Sequence, residues 1–363
     1  MTQSQRWRLR GRIILDDGSE RPEAWVVGGK LSLTAVSGDV TTLDGVFLPG
    51  LVDMHCHIGL DAHGATTPEI AYQQAVVNRD SGVLLVRDAG SALDTSWLQS
   101  RTDVPHIIRC GQHIARPRRY LKDFASEIDQ SDQLPAEMDR QARRGDGWVK
   151  IVADWIEREH GDLAPLWRPQ DLAAGVARAH AAGARVTAHT FATESVGALL
   201  DAGIDCLEHG TGMSEEHMRR AAEAGIPVVP TLLQIERFDQ IAAQGEHRFP
   251  DFALRMRRMH AQRREQVHAL HALGVSLFVG TDAGGSIAHG RIADECAALV
   301  EAGIPSEQVT ASASWQSRQY LGRPGMREGE VVQAVRYADD PHLDITALRS
   351  PTTIITHGVL QLV

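Results

Sequence analysis

At 363 residues the chain has room for a barrel of roughly 250 residues plus a smaller accessory unit. Hydrophobic residues make up 43% and charged residues 23%, the balance of a globular chain that buries a large core, which excludes a disordered or fibrous protein. The net charge of −10 comes without a long basic run and argues against nucleic acid as a partner.

No apolar run approaches the roughly 18 residues of a membrane span, and Met1 to Arg8 lack the apolar stretch of a secretory signal. The expectation is a cytoplasmic protein. Its four cysteines (Cys56, Cys110, Cys206 and Cys296) form no CxxC pair and read as buried thiols.

In chain order, residues 1–45 carry β-rich pieces between turn signals at Asp16-Asp17-Gly18, Gly28-Gly29-Lys30 and Ser37-Gly38-Asp39. From residue 46 short apolar runs alternate with helical stretches. The predicted strands are 46–54, 84–88, 106–110, 148–152, 185–189, 206–209, 227–231 and 276–281. The segment 169–183 typifies the helices: Pro169 suits a first turn, Gly183 a C-cap, and Leu172, Val176 and Ala179 share a face. Eight strand–helix units predict a (β/α)₈ TIM barrel over residues 46–322, with a doubly wound sheet as the runner-up. Residues 323–363 are again β-rich, with strands predicted at 331–337 and 352–356. Neither end is long enough for a core of its own, so 1–45 and 323–363 are expected to pair into one small β-sandwich beside the barrel.

The polar residues fall at one end of these strands. His55 and His57 follow the first, Lys150 lies in the fourth, His189 ends the fifth, His209 ends the sixth and Asp282 follows the eighth. The carboxyl ends of barrel strands open into one mouth, so these residues converge. Imidazole and carboxylate are ordinary ligands of zinc and related cations. His55 and His57 alternate around Cys56, so a regular strand points both to one side and Cys56 to the other. Lys150 as an ammonium cannot bind a cation. Trp148, Val149, Ile151 and Val152 surround it with apolar bulk, which favours the neutral amine. A neutral amine can add carbon dioxide, and the resulting anionic carbamate could bridge two metals.

Taken singly, each residue also has a structural reading: a satisfied core histidine pair, an exposed strand lysine, or a turn capped by Asp282. The shared register favours metal. Among other histidines, His217, His260, His268 and His271 read as solvated helix faces. His113 and His289 sit in strand-end loops and are candidates for substrate contact. So is Arg118, in Arg116-Pro-Arg-Arg-Tyr120, whose guanidinium could meet a substrate carboxylate.

The segment Leu48-Pro-Gly-Leu-Val-Asp-Met-His-Cys-His57 resembles the opening signature of the amidohydrolase superfamily. Val149-Lys150-Ile151, Ala188-His189, Leu207-Glu-His-Gly210, Gly280-Thr-Asp-Ala-Gly284, His289-Gly290 and Glu295 match further along. The resemblance spans the chain and is closest to the imidazolonepropionase-like and prolidase-like branch. It implies His55, His57 and Asp282 on one metal ion, His189 and His209 on a second, and a carboxylated Lys150 bridging them, with zinc the expected metal.

The implied activity is hydrolysis of an amide or peptide-type C–N bond in a dipeptide, N-acyl amino acid or related small molecule. Paired cations would lower the pKa of a shared water, and Asp282 would carry its proton to the departing nitrogen. The alternatives are a one-metal cyclic amidohydrolase or deaminase, a hydrolase of esters, lactones or organophosphates, and a non-catalytic binding barrel. After Val229-Pro-Thr-Leu-Leu233 the prolidase-like branch often carries a tyrosine that can meet a substrate carboxylate; here the chain reads Gln234-Ile235. The expected partner is a small molecule, without nucleic acid or membrane, and a homo-oligomer is compatible with this reading.

Overall fold

A computed structural model describes residues 6–121 and 123–362. The two chain ends meet in one seven-stranded sheet. Arg6–Ile14, Glu20–Val27, Lys30–Ser32 and Thr41–Pro49 come from the N-terminal side, and Ala334–Tyr337, Thr353–Thr356 and Val359–Leu362 from the C-terminal side. The seam is antiparallel, with Val335 opposite Leu48 and Ala334 opposite Pro49. Leu9, Ile13, Phe47, Ala334 and Ile355 bury themselves against it.

The predicted first strand, 46–54, is two strands. Residues up to Pro49 finish the terminal sheet, and Leu51–Cys56 starts anew after Gly50. The break sits where the backbone presses on the next strand: a Cβ on Gly50 would lie 2.5 Å from Leu84 Cδ1.

Two short antiparallel hairpins aside (Leu60–Asp61 with Gly64–Ala65, and Asp154–Glu157 with Asp162–Pro165), the remaining strands pair in parallel and largely in chain order. Leu51–Cys56, Val83–Asp88 and His106–Arg109 form one sheet. Ile114–Ala115, Trp148–Val152, Arg185–Thr190, Cys206–His209 and Val228–Val229 follow in a second, with Ser126–Glu127 at its edge. All residues of Leu51–Cys56 and Trp148–Val152 are buried, as strands covered on both faces must be. Between the two sheets runs the predicted eighth strand. It is not a regular strand, yet Phe278 N–H donates to Val228 O and Met54 N–H to Val279 O, each at 2.9 Å. Gly280 and the left-handed Asp282 (φ 55°) interrupt its ladder. The predicted strand 227–231 shortens to Val228–Val229 because Pro230 has no N–H to give and Thr231 turns left-handed (φ 51°). Apart from the two-residue edge strand Ser126–Glu127, the parallel strands among the described residues follow chain order, without the central reversal of a doubly wound sheet.

The helix expected over 169–183 spans Pro169–Ala181 with Pro169 in its first turn, and it buries Leu172, Val176 and Ala179. Among the described residues no helix is long and apolar enough to cross a membrane.

Candidate metal centre

His55, His57, Lys150, His189 and His209 are buried, and Asp282 keeps a sliver of exposure. The ligand atoms of His55, His209 and Asp282 lie within 4.8 Å of one another. His55 Nε2 is 3.1 Å and His57 Nε2 3.3 Å from Asp282 Oδ1, and His209 Nε2 is 3.1 Å from His189 Nδ1. His209 thus groups with His55 and Asp282 as well as with His189, so the ring is more compact than two separate ligand sets.

Partners assign two of the tautomers. The carbonyl of Gly90 can only accept, so His57 Nδ1 donates to it (2.8 Å), while Nε2 faces Asp282 Oδ1; burial lowers the His57 pKa, but Asp282 outweighs it and raises it. The Thr231 hydroxyl donates to Pro230 O (2.7 Å) and therefore accepts from His209 Nδ1 (2.6 Å), leaving a lone pair on His209 Nε2. Among the described residues, both ring nitrogens of His55 and Nε2 of His189 are buried without a hydrogen-bond partner. Burial, outweighing nearby carboxylates, lowers the pKa of His55, of His189 and of His209, the last to about 3. Neutral, unpartnered, buried imidazoles fit a divalent cation, which needs such lone pairs.

Lys150 is not alone. Its Nζ meets Glu208 Oε2, while Glu208 Oε1 accepts from Thr187 Oγ1 (2.8 Å) and lies 3.5 Å from Arg87 Nη2. Burial raises the Glu208 pKa, but the charges of His55, Lys150 and Arg87 outweigh it and hold the carboxyl well below the usual range. Sequence reasoning passed over Glu208 because strand alternation sends neighbours to opposite faces, and His209 was the ligand. The left-handed backbone at His209 (φ 65°) breaks that alternation and lets both face inward.

Four more buried carboxylates brace the ring from behind. Asp53 accepts from His55 N and Thr281 N (3.1 Å each) and from Thr281 Oγ1 (2.6 Å). Asp88 accepts from Ile58 N and Gly90 N (2.8 Å each), and Asp154 from Phe191 N (3.0 Å). Glu295 accepts from Leu232 N (2.6 Å) and Leu233 N (2.9 Å). Burial pushes their pKa values up, to about 6 for Asp53 and Asp88, about 7 for Asp154 and about 8 for Glu295, against the N–H groups they accept. Counting Glu208 and Asp282, six carboxylates lie at this end of the strands, with Arg87 and Lys150 the buried cations there among the described residues.

Residues 46–325 match the family model described as the amidohydrolase family. The chain belongs to the amidohydrolase family. Proteins of Mycobacterium tuberculosis and Mycobacterium bovis, both described as uncharacterized, are 46% identical to it over 354 residues, covering 97% of this chain and 95% of theirs. A Xaa-Pro dipeptidase with bound methionine has the same fold (TM-score 0.83, 22% identity, 99% of this chain and 100% of that one). So does an ochratoxinase of A. niger (TM-score 0.81, 19% identity, 99% of this chain and 96% of that one).

In this amidohydrolase the residues considered for substrate contact separate. His113 is buried beside the ring, its Nδ1 3.3 Å from Gly90 O and its ring 5.8 Å from that of His57. His289 is half-buried, with Nδ1 3.2 Å from Asn78 Nδ2. Arg118 is not brought to the ring: it is exposed and left-handed (φ 62°) in a surface cleft with Arg116, Arg158 and Glu159. Its neighbour Tyr120 does reach the ring, packing its side chain 5.4 Å from His113, 4.9 Å from Trp155 and 5.5 Å from His189. An aromatic within an Arg-rich loop was the one available signal. Cys56 points away into the core, near Asn78.

Proposed function

We propose that this amidohydrolase cleaves an amide or peptide-type C–N bond of a small molecule, using two divalent cations held by His55, His57, Lys150, His189, His209 and Asp282. The observation that carries the reading is the set of buried imidazole nitrogens of His55 and His189 without hydrogen-bond partners among the described residues, in a ring where His55 Nε2 lies 3.1 Å from Asp282 Oδ1. When bound, the cations would supply Lewis acidity, lowering the pKa of water and polarising a substrate carbonyl.

The protein's own groups do the rest. His57 and His209 are locked as Nδ1–H tautomers by Gly90 and Thr231, so each keeps Nε2 for binding. Burial raises the Asp282 pKa, but His55, His57 and His209 outweigh it and hold the carboxylate ionised near neutral pH. Asp282 Oδ1 can therefore take a proton from the attacking water and return it to the departing nitrogen. Tyr120 and Trp155 cover the ring and limit access of bulk water. A ring this buried suits a small substrate.

A one-cation reading is favoured by one observation: the amine of Lys150 is paired with Glu208, whereas a bridging carbamate would be anionic there. Metal content separates the two. About two zinc ions per chain, falling to one in Lys150→Ala, supports the carbamate bridge; one in both supports the single cation. Assays of dipeptides, N-acyl amino acids, cyclic amides and lactones on the zinc-loaded protein test the bond type. A protein that binds no divalent cation defeats both readings.

A further inference from the structure

We propose that Glu295 is a positioning residue for His209, acting through the backbone of Leu232 and Leu233 and the hydroxyl of Thr231. The proposal rests on the reading of His209 as a metal ligand. Glu295 lies in the first turn of the helix Ile292–Glu301 and touches none of the ring residues by hydrogen bond or ion pair among the described residues.

Its two oxygens are both spent. Oε1 accepts from Leu232 N and Oε2 from Leu233 N, the first donors of the short helix Leu232–Ile235, which that helix cannot satisfy itself. Among the described residues no lysine or arginine pairs with Glu295. With no cation beside it, this buried carboxyl is not half of an ion pair, and the two N–H groups are the partners it serves.

The residue held in place is Thr231, immediately before them. It is β-branched yet left-handed (φ 51°, ψ 55°), a conformation such residues avoid. In that pose its hydroxyl donates to Pro230 O and accepts from His209 Nδ1. His209 is left-handed too (φ 65°). His209 is the last paired residue of Cys206–His209, opposite Thr190, whereas Val228–Val229 stops before Thr231, so among the described residues no sheet pairing holds the Thr231 backbone in its pose. One hydrogen bond joins two strained residues, and the Glu295 clamp fixes the side of it that would otherwise relax. Its loss would free Thr231 to turn away and release His209 from the tautomer that keeps Nε2 for metal.

Zinc affinity, measured by chelator competition on the full-length protein, tests this in Glu295→Gln, Thr231→Val, Thr231→Ser and the double variant Glu295→Gln/Thr231→Val. Outer-shell partners of metal-bound histidine are worth about 10–100-fold in affinity, so both Glu295→Gln and Thr231→Val should weaken zinc binding by that much. Thr231→Ser keeps the hydroxyl and should stay within about twofold of wild type. The double variant should be no weaker than the worse single one, since both break one path. Should Glu295→Gln fail to fold, the Thr231→Val and Thr231→Ser pair decides. Wild-type affinity in Thr231→Val, or losses that multiply in the double variant, would overturn the proposal. A wild type that binds no zinc would instead defeat the metal reading. Imidazole ¹⁵N spectra of the metal-free protein then still test the clamp: His209 should be an Nδ1–H tautomer in wild type and lose that fixed state in both Thr231→Val and Glu295→Gln, and an unchanged His209 in either would overturn it.

Discussion

Lys150 Nζ lies against Glu208 Oε2 beneath the imidazole ring, with neither side chain open to solvent. Apolar neighbours enclose the Lys150 amine, and the buried carboxylate at contact distance gives it an anionic partner. Glu208 also serves Thr187 and faces Arg87, so it is the charge on which this part of the interior depends.

Glu208→Ala should therefore destabilise the metal-free chain by about 3–5 kcal/mol, the usual cost of removing one partner of a buried pair. Lys150 and Arg87 would be left side by side in a dry interior. Urea unfolding measures it, and a loss under about 1 kcal/mol would mean that the pair does not hold the interior together.

Asp282→Asn keeps the shape of the side chain and removes the proton acceptor. Turnover should drop by about 10²–10⁴, the range of a lost general base, while bound metal falls much less. Parallel assays of turnover and metal content decide it. Near-normal turnover in Asp282→Asn would end the shuttle role.

Gly284 follows Asp282 at φ 126°, and a Cβ there would sit 2.6 Å from His57 O. Gly284→Ala should cost about 1–3 kcal/mol by overpacking and weaken metal binding by moving His57. Gly285→Ala is the control, because a Cβ at Gly285 meets nothing within 4 Å. Thermal melts of the two should differ; equal melting temperatures would show that the close approach is not limiting.

Burial raises the Glu295 pKa from 4.5 to about 8, with Asp53 and Asp282 adding to the rise and the N–H groups of Leu232 and Leu233 opposing it. The folded metal-free chain thus holds a proton that the unfolded chain has released once pH exceeds about 4.5. Stability from this group is full below that pH and is lost as pH rises through about 8, a few kcal/mol at roughly 1.4 kcal/mol per unit. Glu295→Gln should flatten the fall in unfolding free energy between pH 5 and pH 8 (~3 units of the window set by these values). An unchanged pH slope in Glu295→Gln would show that another group carries it.

The sequence by itself determined the ligand types and the strand ends that carry them. Strand spacing is a local property: His55 and His57 alternate about Cys56, and Cys56 points into the core as that period requires. The strand–helix alternation likewise foretold parallel strands in chain order. Only the tertiary structure decided that His209 groups with His55 and Asp282 and that Glu208 pairs with Lys150. Left-handed turns at His209, Thr231 and Asp282 re-aim side chains against the period of their strands, and no pattern of neighbours encodes that at non-glycine residues. The bracing carboxylates were equally out of reach. Glu295 finds Leu232 across 63 residues and Asp53 finds Thr281 across 228, contacts that exist only once the strands have assembled side by side.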